Sequence, residues 1–148
     1  MTQEEFWSLI GLIDLDALEQ QDEQAAVSPL EIALAAKSIS DIEGFYSLLA
    51  HALYEIDGEA YADNAGDAGG SDDGFLYARC YVVARGRDFY NAVKSDPSQM
   101  PQDLNQWCES LLYVAPNAWG RITGSEPNQW EFYPEVSFET GHNISQWP

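Results

Sequence analysis

Positive charge is what this chain has least of. Lysine and arginine together number six against 25 aspartates and glutamates in 148 residues, a net charge of −19. Nucleic acids and anionic lipid surfaces are held through basic patches, so neither is expected as a direct partner. Long apolar runs are missing too: none approaches the roughly 20 residues that a membrane-spanning helix needs. The opening MTQEEFWSLI carries acids where a secretory leader carries a basic region, so a cytoplasmic location is expected. Cysteine occurs twice, at Cys80 and Cys108, without CxxC spacing or a neighbouring histidine. That excludes the usual metal and redox arrangements and leaves buried, reduced thiols. The two histidines, His51 and His142, are far apart in the chain, and GxSxG, HExxH and phosphate-cradling glycine loops do not occur. No cofactor and no metal is expected.

What is present suits a folded domain. The chain is 45% hydrophobic and 13% aromatic, enough for a core and against disorder, and its length fits one domain. The stretch 71–84, SDDGFLYARCYVVA, has almost no polar face, which places it inside the domain as a central helix. Ser71 caps it, and Asp72 and Asp73 fall in its first turn, where negative charge suits the helix dipole. One residue interrupts the apolar run: Arg79. Its neighbours three and four positions away are apolar, and Asp72 is about 10 Å along the axis. A buried guanidinium needs compensation, so a carboxylate from another element is expected, with Glu5, Glu55, Glu59 and Glu109 as candidates.

Around this helix the pattern predicts a mainly α, single-domain bundle of about six or seven helices. Thr2 and Glu5 form a capping box before the stripe Phe6, Leu9, Ile10, Ile13. The acids from Asp14 to Glu23 read as a solvated charged face. Ser28, Pro29 and Glu31 read as the start of a short helix ending near Lys37. Ser40 and Glu43 suggest a further box, ahead of the clearest stripe in the chain: Ile42, Phe45, Leu49, Ala52, Leu53 and Ile56. His51 falls on the opposite face. Residues 57–74 are rich in glycine and aspartate, but the calcium-loop pattern fails, because the third position from Asp63 is Ala65. A loop feeding the central helix is expected, with 59–62 still helical. A shorter helix follows Gly86 to about Ser95. Asp103 and Gln106 suggest the cap of another helix carrying Leu104, Trp107, Cys108, Leu111 and Ala115, broken or kinked at Pro116. Residues 125–148 read as an extended aromatic tail, packed across the helices through Trp130, Phe132, Tyr133, Phe138 and Trp147, with room for one short strand at 136–138.

The run DGFLYARCYVVARGRDFYNAV, preceded by GGSDD and containing the core SDDGF-x-YAR-x-x-VVA-x-GR-x-x-Y, resembles the bacterial family of domain of unknown function 4240. So do EFWSLI near the start, CESLLYVAPNAW and the closing VSFETGHN, in the same order. The resemblance implies a small soluble bacterial protein; it supplies no reaction, cofactor or catalytic residue.

Two classes of function remain. One is a non-catalytic protein-binding module, of inhibitor, immunity or regulatory type, whose acidic face covers a basic toxin- or nuclease-like surface. The other is a metal-dependent or acid/base enzyme working through Asp72, Asp73 and Arg79. Four of the six cations, Arg79, Arg85, Arg87 and Lys94, lie within sixteen positions. In a chain this acidic their expected job is to neutralise carboxylates inside the fold; the alternative is an anion-binding cluster, and Asp72, Asp73, Arg79, Arg85 and Arg87 mark the candidate cleft.

Overall fold

The computed structural model describes residues 1–148 and contains eight α-helices and no strand. The central helix, α6 (Asp72–Ala84), buries ten of its thirteen residues, Arg79 among them. It begins as expected: the Ser71 side chain accepts from the Gly74 backbone N–H at 3.0 Å. The carbonyl of Ala68 and the ring of Trp107 crowd Gly74, so a Cβ there would lie 2.8 Å from that carbonyl oxygen. The apolar circumference of α6 is covered by α4 (Ile39–Glu55), α7 (Arg87–Ser95), the 3₁₀ turn Gly66–Gly69 and the 3₁₀ turn Glu109–Tyr113.

The remaining helices close the bundle. α1 (Gln3–Ile10) and α2 (Leu15–Glu19) pack on α3 (Glu23–Ala35), while α8 (Val114–Thr123) lies against α3 and α4. α5 (Glu59–Asp63) is a single short turn leading into the loop before α6. Every residue of the predicted α4 stripe, from Ile42 to Ile56, is buried, as are Phe6, Leu9, Ile10 and Ile13.

Several boundaries differ from those the residues suggest, each for a local reason. α3 starts at Glu23, where Asp22 accepts from Ala25 N–H at 3.2 Å, and runs straight through Pro29. Ser28 and Pro29 mimic a helix start, but Ala26, Val27, Leu30 and Leu34 form one continuous buried stripe across them. Burial of that stripe outweighs the one backbone hydrogen bond that proline removes. The acids before it are not only a solvated face: Asp14 and Asp22 cap α2 and α3, and Glu23 accepts from Ser110 N–H at 2.9 Å. The capping box of α4 is Ser38 with Asp41, two positions ahead of the expected pair.

No helix starts at Asp103; helical structure resumes only at the 3₁₀ turn Glu109–Tyr113, which leads into α8. Gln106 does reach back to the Asp103 N–H at 3.1 Å, half of a capping box. The chain then leaves the helical path, because Cys108 N–H donates to the Tyr77 carbonyl and the Trp107 indole to the Ala68 carbonyl. Leu104, expected in the stripe, stands 57% exposed. Pro116 does not break α8; it sits in the first turn, where a missing N–H costs nothing. The tail contains no strand at 136–138, only bends and two short 3₁₀ turns.

Both thiols are reduced and buried, Cys80 inside α6 and Cys108 beside it. Burial pushes the Cys80 thiol well above its ordinary value of 9.0 and raises Cys108 to about 12. The unfolded chain therefore loses these protons at lower pH than the folded one. Stability is complete below pH 9 and declines as pH rises from there, by up to about 1.4 kcal/mol per unit for each thiol. Denaturant melts at stepped alkaline pH measure this slope, and a Cys80→Ala/Cys108→Ala double variant should reduce it between pH 9.0 and 10.0, below the range where the raised tyrosines Tyr46, Tyr61, Tyr77, Tyr90 and Tyr113 add to it. An unchanged slope in that variant would assign the effect to other groups.

Candidate functional site

Arg79 has no carboxylate within ion-pair distance; none of Glu5, Glu55, Glu59 or Glu109 meets it. Its guanidinium donates instead to the carbonyls of Leu53 at 2.9 Å and Phe138 at 3.0 Å and to Thr140 Oγ1 at 3.1 Å. It stacks over the Phe75 ring at 4.7 Å, and its Nε has no partner. Burial lowers its pKa, while the Asp57 charge opposes that effect. No direct ion pair is needed, because Leu53 lies in the last turn of α4, where carbonyls carry the negative end of the helix dipole, and the Asp57 charge adds to it from nearby.

That last turn is capped completely by side chains. The carbonyls of Ala52, Leu53, Tyr54 and Glu55 accept, in order, from the Tyr90 hydroxyl, the Arg79 guanidinium, the Asn143 amide and the Gln146 amide. Just beyond, the fully buried Asp57 accepts from the backbone N–H groups of Gly141 and Asn143 and from the Trp147 indole, all at 2.9–3.0 Å. The C-terminal end of α4 is thus the anchor of the tail. Arg79 fixes residues 138–140, and Asp57 fixes residues 141–147.

The five residues expected to share a cleft do not. Asp72 and Asp73 are exposed in the first turn of α6, whereas Arg79 has no exposed surface. The link between them is Thr140, whose hydroxyl accepts from Arg79 and donates to the Asp72 carbonyl. Arg85 and Arg87 lie at the far end, about 20 Å from Asp72 by helical rise. Arg85 meets Glu19 at 3.4 Å and Arg87 meets Glu4 at 2.9 Å. No three histidine, cysteine, aspartate or glutamate side chains come together as metal ligands. A polar hollow of about 220 Å³ between α4 and α7 holds His51, Glu55, Tyr90 and Lys94, but Lys94 and Glu55 neutralise each other there.

The feature with the shape of a binding site lies where the anchored tail crosses α4 and α8. Two adjoining grooves of about 490 and 480 Å³ share Tyr46, Trp130, Phe138 and Glu139. Tyr46, one position off the buried α4 stripe, stands at the centre. Its ring meets Trp130, Phe138 and Phe132 edge-on at 5.7, 6.1 and 6.4 Å between centroids. Trp119 of α8 backs Trp130 at 5.7 Å. Burial raises the Tyr46 pKa, and the nearby Glu139 charge adds to it. The Trp130 indole N–H is covered without an acceptor. Glu135 and Glu139 lie exposed along the first groove.

The aromatic tail was legible as a packing element, and Trp130, Phe138 and Trp147 do pack on the core. Tyr133 does not; it is 82% exposed. Tyr46 carries no sequence signal as a site residue, because a tyrosine beside a helical stripe is the ordinary edge of a core.

No helix is long and apolar enough to cross a membrane. Neither the curated proteins nor the solved structures contain a match to the chain. A family model does match, over residues 1–121, and so takes in α1 to α7, Tyr46, Asp57 and Arg79 but not the tail that they anchor. On that match the chain belongs to the family described as protein of unknown function DUF4240.

Proposed function

We propose that the protein is a non-catalytic binding module that engages a basic surface on a protein partner, as an inhibitor, immunity-type or regulatory protein does. The observation that carries this reading is the fate of its few cations. Arg85, Arg87, Lys94 and Arg121 are each paired with a glutamate of the same chain, and Arg79 is buried. Only Lys37 remains outside such pairs. Among the 25 acids, all but Glu31 and Asp57 reach the surface. The outside of the molecule therefore carries a large excess of negative charge, and complementary charge accelerates association with a basic partner while rejecting acidic ones.

The expected behaviour is steep salt dependence. A basic protein retained on the immobilised chain at low salt should lose affinity strongly by about 0.5 M salt, where surface charges are screened within a few ångströms. Its dissociation constant, measured by calorimetry across that range, provides the check. Affinity independent of salt contradicts an electrostatic mode of recognition.

A further inference from the structure

We propose that the groove formed by Tyr46, Trp130, Phe132 and Phe138 takes an arginine side chain of the partner, with Glu135 and Glu139 as its counter-charges. This inference rests on the reading of the chain as a binder of basic surfaces and names the place and chemistry of recognition.

The groove combines the two features that recognise a guanidinium. Aromatic faces attract a cation through their quadrupoles. Carboxylates accept its fork of N–H donors. Lysine can use the charge but not the flat, weakly hydrated surface or the fork, so arginine is preferred. No cation of this chain occupies the place: Glu139 has no ion pair, and Glu135 meets only His51, at 3.9 Å. The first groove, at about 490 Å³, has room for a long side chain and part of its flanking backbone.

The same chain shows this chemistry already satisfied elsewhere. Arg85 lies over the Phe89 ring at 4.9 Å and the Tyr81 ring at 5.8 Å, and its Nη1 donates to Glu19 at 3.4 Å and to the Tyr81 hydroxyl at 3.1 Å. Two rings and a glutamate hold one guanidinium there. The groove presents the same kinds of group, aromatic rings and two glutamates. Trp130 adds a donor without an acceptor, and its ring is therefore held by packing alone.

The probes are an arginine homopeptide and a lysine homopeptide of equal length, titrated calorimetrically against the full chain at about 20 mM salt. The arginine peptide should bind about tenfold more tightly than the lysine peptide. Phe132→Ala and Glu139→Gln, both in the groove and outside the core, should each remove most of that preference while leaving weak, salt-sensitive binding of both peptides. Equal binding of the two peptides, indifferent to both substitutions, overturns the groove and leaves the acidic-surface reading standing. Binding of neither peptide at low salt overturns the acidic-surface reading, and the groove with it. Far-ultraviolet circular dichroism of each variant confirms that the fold is intact.

Discussion

Replacing Arg79 with methionine should destabilise the protein by about 2–4 kcal/mol, although the substitution inserts an apolar side chain into an apolar helix. Three acceptors lose their donor: the carbonyls of Leu53 and Phe138 and the hydroxyl of Thr140. The Leu53 carbonyl is buried and the other two acceptors are part-buried, so water replaces the lost donor poorly at the first and only in part at the others. Two terms oppose this loss. Methionine removes the cost of burying a charge, and it removes the unpartnered Nε. They do not cancel it, because the guanidinium sits at the negative end of α4 and its hydrogen bonds are charge-assisted. Lysine should rescue little, since one ammonium cannot reach partners that come from α4 and from two positions of the tail. The measurement is the urea midpoint at constant slope. An Arg79→Met protein as stable as the parent would mean that the anchor contributes nothing. Because Phe138 and Thr140 position the groove, the same variant should also weaken partner binding.

Asp57→Ala should cost about 3 kcal/mol, the second large effect, through a different set of contacts. The carboxylate satisfies three donors of the tail, two from the backbone and one from Trp147, and has no solvent exposure of its own. Alanine leaves all three orphaned. The expected result is local as well as global: residues 141–148 detach and become the first site of cleavage in limited proteolysis. Asp57→Asn keeps one acceptor oxygen but sets an amide against a donor, so its effect should fall between those of alanine and the parent. Proteolysis that begins in the 64–71 loop in Asp57→Ala, with the tail still protected, would show that other contacts hold the tail. Arg79 and Asp57 act on adjacent tail segments, so their double variant should be less than additive.

What was legible follows from periodicity and local capping. The α1 and α4 stripes, the Ser71 cap and the burial of α6 are all written in neighbouring residues, and the structure contains each of them. What was not legible depended on contacts between distant residues. Pro29 looks like a helix start because the first-turn preference of proline is local, while the stripe that carries α3 through it is buried against other helices. Asp103 and Gln106 look like a cap and form half of one, yet contacts to Tyr77 and Ala68 draw the chain away.

The candidate site shows the same division. Arg79 stood out because a lone charge on an apolar helix demands an explanation. Its solution was missed because a helix terminus, unlike a glutamate, leaves no mark at a fixed position in the sequence. The chain alone determined that the protein is helical, that α6 is its centre, and that its surface is acidic, since residue type and spacing govern these directly. Only the tertiary structure decided that the end of α4 grips the tail and that Tyr46 meets Trp130, Phe132 and Phe138. Those contacts join residues from 59 to about 91 positions apart, and no local preference encodes a distance of that kind.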